Sequence, residues 1–246
     1  MELATSASLG ILLVIRGEKP EICLRISGTT SGHSEKDGEQ YMGLYTEKIL
    51  PHLINHFMAQ SDFSRLRGEV LEAVSGRVLE IGFGTGLNLP HYSATVAELI
   101  AVDPCSRCLQ LADDRIRSAP FPVRIISADE TGARIDLPDD SMDAVVSTWS
   151  LCTIPDAVQA LRECRRILKA DGRLHFVEHG RSPESGVARW QDRLTPMQKI
   201  IGGGCHLNRP IAGLIESAGF RIENLRTFYN SPVKVGSYMY AGTARP

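Results

Sequence analysis

The sequence lacks an excess of charge of either sign, a long apolar run and a dense cysteine framework, and each absence removes a class of protein. Its 27 Lys and Arg against 29 Asp and Glu leave a formal net charge of −2. That balance gives no electrostatic case for sequence-independent nucleic-acid binding, which needs a concentrated basic face, and only a local basic patch would supply one. The longest apolar stretch, Leu9 to Ile15 with Gly10 inside it, is far short of the roughly 20 residues that cross a bilayer. No transmembrane segment is expected. The same stretch follows Glu2 rather than a basic region and runs into Arg16 without a small-residue cleavage site. This argues against a secretory signal and for a cytoplasmic protein. Six cysteines in 246 residues do not form the framework of small secreted domains and are read as reduced thiols.

What is present is an ordinary globular composition, in a chain long enough for a sizeable core. Gly, Ser, Thr, Glu and Lys cluster from Gly28 to Gln40, with no aromatic and no apolar period. Residues 1 to 40 are therefore expected to be a mobile leader, and residues 41 to 246 a single domain. The helix-like sequence directly after Met42 makes that methionine an alternative start. Ile49, Leu53 and Phe57, then Leu66, Val70 and Val74, recur at helical spacing and predict two helices before the first strand.

Short β-rich runs follow at Arg77 to Ile81, Leu99 to Asp103, Val123 to Ser127, Asp143 to Thr148 and Arg173 to Val177. Helical or loop stretches separate them, which is the succession of a largely parallel sheet. The unalternating Ala144, Val145 and Val146 predict a central strand covered on both faces. Before the fifth run, Pro155 is expected in a first helical turn, with Ala157, Leu161, Cys164 and Leu168 as the apolar face and Gly172 as a left-handed cap. Arg165, Arg166 and Lys169 would complement that helix's dipole. Asn208 is expected to cap a later helix carrying Ile211, Leu214, Ile215 and Ala218, closed by Gly219. Arg221 to Tyr229 and Gly236 to Ala244 are joined too closely for a helical crossover, so they should pair antiparallel. The fold class is α/β, doubly wound: a seven-stranded, mostly parallel, Rossmann-like sheet with an antiparallel C-terminal strand.

The chemistry concentrates in RVLEIGFGTGLNLP, residues 77 to 90. An apolar strand ending in Glu80 runs into Gly82, Gly84 and Gly86 and then, on this reading, into a helix. Glycines allow a sharp bend and a close approach of ligand to backbone, at the carboxyl end of a strand where doubly wound sheets bind ligands. The dinucleotide fingerprint would need a glycine where Leu87 stands, which weakens a nicotinamide reading. Asp103 ends the second strand, where a carboxylate can accept both hydroxyls of a ribose. An adenosine-containing ligand fits without a pyrophosphate.

EIGFGTG, the VD at Asp103, SADE after the third strand and LPDDSMDAVVST together resemble the motifs of class I S-adenosylmethionine-dependent methyltransferases, over roughly residues 41 to 246. LCTIPD, LRECRRILKADGRLHFVEHG and GGCHLNRPI resemble the branch of quinone-biosynthesis and thiol S-methyltransferases. The animal thiol enzymes of that branch carry an N-terminal membrane anchor, which is not seen here. The resemblance implies S-adenosylmethionine as cofactor, with the loop Gly82, Phe83, Gly84, Thr85 and Gly86 around the methionine moiety. Glu80 would face its ammonium directly or through water, Asp103 would hold the ribose, and Thr148 would lie near the sulfonium. Ala128 and Asp129 would serve the adenine, with Glu130 as the alternative acid. The implied reaction is methyl transfer to a small, apolar acceptor: a thiol, a quinol-type carbon or oxygen, or a lipid head group.

A sulfonium already carries an activated methyl, so alignment does most of the work, while an acceptor thiol or phenol must also lose a proton. His179, just past the fifth strand, and His206 in GGGCHLN are the candidate bases. Each is otherwise a hydrogen-bonded loop histidine. Adjacent Cys205 and His206 cannot easily aim at one ion, so Cys205 is read as a lining residue and Cys152 as core. Cys105 and Cys108 have the spacing of zinc and redox pairs, but no second pair follows, and packing is the simpler reading. No metal is expected. Some 29 residues separate His179 from Asn208, with Val187, Trp190 and Leu194 as an apolar face, and are read as a lid in which Trp190 packs in the core. Tyr41 and Tyr45 are read as packing residues that can fold over the cofactor. Two rival functions stay open: a cofactor-binding regulatory module without methyl transfer, and a nicotinamide-dependent oxidoreductase.

Overall fold

The computed structural model describes residues 45–126 and 134–246. The chain divides into two units, Met1–Tyr41 and Met42–Pro246, and every described residue belongs to the second. The expected leader, Tyr41, and the adenine-side residues Ala128, Asp129 and Glu130 lie outside the described residues.

A π-type turn at Tyr45–Ile49 leads into α1 (Leu50–Met58) and α2 (Ser61–Leu71), the two helices the apolar spacing predicts. Then come β1 (Gly76–Ile81), β2 (Val96–Val102), α3 (Ser106–Arg117), β3 (Val123–Ile126), β4 (Met142–Thr148), α4 (Ala157–Ile167), β5 (Leu168–His179), α5 (Ser185–Ile201), α6 (Ile211–Ser217), β6 (Arg221–Tyr229) and β7 (Tyr238–Arg245). The strands form one seven-stranded sheet in the order β3-β2-β1-β4-β5-β7-β6. β7 runs antiparallel to both its neighbours, and the other pairings are parallel. The order reverses between β1 and β4, and this switch point opens a crevice at the carboxyl ends of the strands.

The unalternating centre of β4 is covered on both sides. Val145 packs with Leu79, Leu161 and Phe176 on one face, while Ala144 and Val146 pack with Val78, Leu99 and Ala112 on the other. All are buried, and each large aliphatic among them gains roughly 1.5 to 3 kcal/mol from leaving water.

Five local expectations are corrected. The segment after the glycine loop carries only a 3-10 turn at Leu89–His91, since Pro90 and the short run to Val96 leave no room for an α-helix before β2. α4 is capped by the Asp156 side chain, which accepts from the Gln159 N–H at 2.9 Å, and Pro155 precedes the helix. The same helix ends at Ile167 because Leu168 is already extended. Gly172 lies inside β5, where an added Cβ would come within 2.9 Å of the Asp143 carbonyl. Space, not a left-handed turn, selects that glycine. Asn208 caps nothing; its Nδ2 donates to Asp192 at 2.9 Å, and α6 starts after Pro210.

Candidate functional site

A cavity of about 550 Å³ occupies the switch-point crevice, within the size range of small-molecule sites. Gly82, Phe83, Gly84 and Thr85 of the glycine loop line it, and Gly86 does not. Gly82, Gly84 and Gly86 all take positive φ, at 69°, 58° and 73°, in the region that excludes most side chains. The two outer glycines are also confined, since a Cβ on Gly82 would strike the Ser150 side chain and one on Gly86 would press on Phe83 and Ala112. Gly84 is different. A Cβ there would meet nothing within 4 Å, so its backbone faces open space that a ligand can enter.

Asp103 lies across from this bend and lines the same cavity. Its Oδ2 accepts from the Gly84 N–H at 2.7 Å and its Oδ1 from the Cys105 N–H at 2.8 Å. Burial raises its pKa, and those two N–H groups pull the other way. Each oxygen retains a lone pair for a further donor. Thr85 ties the loop to α1 by donating from Oγ1 to Asn55 Oδ1 at 2.8 Å. Phe83 and Thr148 also line the cavity.

Glu80 sits behind this wall. It is 1% exposed, with Oε1 accepting from Asn88 Nδ2 at 2.9 Å and Oε2 from the Tyr92 hydroxyl at 2.6 Å. Burial pushes its carboxyl up to about 8, against the opposing effect of those two donors. Asn88, which does line the cavity, also donates to Thr148 Oγ1 at 3.0 Å. It links the ends of β1 and β4.

Two lining residues escaped the sequence reading. Arg67 on α2 is 4% exposed; its Nη1 donates to the Met58 carbonyl at 2.7 Å, and its guanidinium lies 4.8 Å from the centroid of the Trp149 ring. Trp149 follows β4 with φ of 52°, a left-handed conformation that costs a bulky residue energy and concentrates at functional sites. Arg67 Nε and Trp149 Nε1 are buried without a hydrogen-bond partner. Burial also lowers the Arg67 pKa to about 10. Both residues line the cavity, while these two donor atoms themselves are sealed from solvent. Neither residue falls in a recognisable motif, and a lone arginine in an upstream helix carries no sequence signal for such a role.

His179 and His206 are not among the lining residues. His179 Nε2 is 2.8 Å from Cys205 Sγ. Burial lowers the His179 pKa, but the neighbouring Cys152 outweighs it and leaves a net rise. His206 Nδ1 lies 3.1 Å from the Cys152 carbonyl oxygen, and burial with the Arg209 charge lowers its pKa. Cys152 is buried as expected. Cys105 and Cys108, read as reduced, form a disulfide at the start of α3, since the cap position brings the two side chains of one helical turn together.

The segment between His179 and Asn208 is largely α5. It docks by Ala188, Gln191 and Thr195, and Gln191 donates to the Gly180 and Val235 carbonyls. Trp190 is 54% exposed, against the expectation of a core residue, because the buried face is the one Gln191 occupies. Only the residues just beyond the helix, Gly202 and Gly203, line the cavity. The Tyr45 hydroxyl donates to the carbonyl of Ile201 at 2.9 Å, joining α1's lead-in turn to that same end.

Residues 79–176 match the family model described as a methyltransferase domain. The chain is 35% identical over 164 residues to thiol S-methyltransferase TMT1B of Rattus norvegicus, covering 64% of this chain and 65% of that protein. It is 33% identical over 153 residues to the demethylmenaquinone methyltransferase of Thermotoga maritima, covering 60% and 63%. The match thus spans just under two thirds of either relative. Among solved structures, an S-adenosylmethionine-dependent methyltransferase of Thermotoga maritima, described as a possible histamine N-methyltransferase, superposes with a TM-score of 0.60 at 21% identity. It covers 83% of this chain and 99% of that one, and at this identity the likeness concerns the fold. Among the described residues no helix is long and apolar enough to cross a membrane.

Proposed function

We propose that the protein transfers a methyl group from S-adenosylmethionine to a small apolar acceptor, with a thiol favoured over a quinol-type carbon or oxygen or an amino lipid head group. The observation that carries the reading is the Gly84 backbone, bare toward the cavity and hydrogen-bonded to Asp103. The cofactor would bring a sulfonium with an activated methyl. Gly82, Phe83, Gly84, Thr85 and Gly86 would line its methionine part, Asp103 would accept the ribose hydroxyls, and Thr148 would border the reacting centre. Ala128 and Asp129 keep the adenine role that the resemblance implies. Arg67, a cation in the cavity wall, supports an added role in holding the cofactor's carboxylate. For Glu80 the reading becomes indirect: it orients Asn88, which faces the cavity.

The chain's own contribution to the chemistry is alignment and water exclusion. Leu50, Ile54, Met58, Ile81 and Ile154 make much of the wall apolar, which suits an apolar acceptor and favours near-attack geometry. Acceptor deprotonation is assigned to His206, three residues beyond the cavity-lining Gly203 and itself outside the cavity wall. Its lowered pKa keeps the imidazole neutral and able to take a proton near pH 7. His179, the second candidate, is turned to Cys205 Sγ, 2.8 Å away, and is not assigned this step. The relatives named as thiol S-methyltransferases favour the thiol class. A cytosolic site of action on a small molecule belongs to the same proposal, as does the lack of a nucleic-acid partner, for which the near-neutral charge is the support.

The test is incubation of the full chain with methyl-labelled S-adenosylmethionine and a panel of apolar thiols, quinols and amino lipids. Labelled product with an acceptor supports the reading. Tight cofactor binding without product or S-adenosylhomocysteine from any acceptor would favour a regulatory module. Binding of nicotinamide dinucleotide instead would favour an oxidoreductase.

A further inference from the structure

Behind the cavity wall, three side chains from separate parts of the chain converge. Cys152 follows β4, His179 ends β5, and Cys205 lies beyond α5. Cys205 Sγ is 3.8 Å from Cys152 Sγ and 2.8 Å from His179 Nε2, and the three ligand atoms lie within 4.8 Å of one another. Cys205 cannot easily share an ion with its chain neighbour His206. The partner is His179, 26 positions earlier.

We infer that Cys152, His179 and Cys205 form a zinc site. The donor set of two thiolates and one imidazole is that of a borderline-soft cation. Tetrahedral zinc with bonds of about 2.3 Å to sulfur and about 2.0 Å to nitrogen separates two sulfurs by about 3.8 Å and sulfur from nitrogen by about 3.6 Å. The sulfur pair already has that separation, and the imidazole, now 2.8 Å from Cys205 Sγ, would withdraw by about 0.8 Å. Zinc binding releases the two thiol protons to solvent, and no electron is transferred.

The ligands are held on fixed supports. Glu178 Oε1 accepts from the Ser150 N–H at 2.9 Å and from the Ser147 hydroxyl at 2.7 Å, anchoring the turn that carries Cys152. The guanidinium of Arg209 donates to the carbonyls of Leu151 and Ile154 in the same turn. The His206 N–H donates to the Cys152 carbonyl at 2.8 Å, which brings the Cys205 segment to the other two ligands. Such support is what metal sites need from the residues around their ligands. A bound ion would clamp the end of the α5 segment, with its cavity-lining Gly202 and Gly203, to the ends of β4 and β5. Three protein ligands leave a fourth position for water.

Asp103, Cys105 and Cys108 are the other such group among the described residues, but there the sulfurs are joined to each other. The test uses the full chain, reduced, loaded with zinc sulfate and dialysed. Elemental analysis should find stoichiometric zinc, and Cys205→Ser should lose most of it while keeping the wild-type circular dichroism. Cobalt loading should give the thiolate charge-transfer band and the strong visible bands of a tetrahedral thiolate site. In wild type, alkylation read by mass spectrometry should show zinc shielding Cys152 and Cys205 while Cys105 and Cys108 stay reactive, with the shielding abolished by EDTA. Absence of retained zinc, shielding of Cys105 and Cys108 instead, or a Cys205→Ser variant that folds and keeps its zinc would overturn the inference.

Discussion

The Asp103 carboxylate at the end of β2 is hydrogen-bonded to the backbone of Gly84, 2.7 Å away in the bend that follows β1. Neighbouring parallel strands thus meet at their carboxyl ends through one side chain and one peptide group. The same contact shapes the bend and aims the acid at the cavity. A ribose hydroxyl arriving there would find an acceptor already fixed by two N–H groups, so little ordering is left to the ligand.

Replacing Asp103 by Ala removes the acceptor for Gly84 and Cys105 as well as for the ribose. Charge-assisted hydrogen bonds of this kind are worth roughly 1.5 to 3 kcal/mol, so affinity for S-adenosylmethionine should fall at least tenfold. Asp103→Asn keeps one acceptor oxygen and should fall between the two. Isothermal calorimetry decides, and unchanged affinity in the alanine variant would refute the assignment.

The glycines should separate by what they cost. Gly84→Ala meets no protein atom and carries only the left-handed backbone penalty, roughly 1 to 2 kcal/mol. Gly82→Ala carries that penalty and also strikes Ser150. Thermal unfolding should therefore place Gly82→Ala well below Gly84→Ala. Cofactor titration should find Gly84→Ala impaired by more than its modest loss of stability explains, because its methyl enters the ligand's space. A Gly84→Ala protein that binds cofactor normally would count against the cavity as the binding site.

Much of this was legible in the sequence because the signals are local. The strand runs, the unalternating centre of β4 and the GFGTG bend with Asp103 are short patterns tied to backbone periodicity and conformation. Arg67, Trp149 and the Cys152–His179–Cys205 cluster were not legible. Arg67 is separated from Trp149 by 82 positions, and the cluster depends on contacts 26 and 53 residues apart. Only packing brings them together. The helix expected after the glycines failed for a local reason that was visible: Pro90 and a linker too short to hold one. Trp190 failed because a polar residue, Gln191, found enough backbone partners to take the buried face.

Glu80 gives a pH signature with a definite sign. Its carboxyl is raised to about 8 in the folded protein, against about 4.3 in an unfolded chain. Between those values the folded state holds a proton that the unfolded state has lost, so this group's contribution to stability declines as pH rises toward 8. Glu178, also raised to about 8, adds to the decline. Glu80→Gln mimics the protonated acid and can still pair with Asn88 and Tyr92. Urea unfolding from pH 5 to 8.5 should show a shallower decline for the variant and a stability above wild type at the alkaline end. Parallel curves would show that Glu80 does not titrate in this range.

Arg67 offers the sharpest separation between binding and folding. If the Arg67 guanidinium in the cavity wall holds a carboxylate, then losing it should affect only ligands that carry one. Arg67→Met keeps an unbranched side chain over the Trp149 ring and so preserves most of the packing. It also removes a buried charge whose pKa is already lowered to about 10, so stability should hold or rise. Affinity for S-adenosylhomocysteine should drop roughly ten- to a hundredfold, the equivalent of one charged hydrogen bond. Affinity for 5′-methylthioadenosine, which has the same nucleoside and thioether but no carboxylate, should stay near wild type. An equal loss for both ligands would mean that Arg67 shapes the cavity as a whole, and an equal retention would leave its buried donor unexplained by the cofactor.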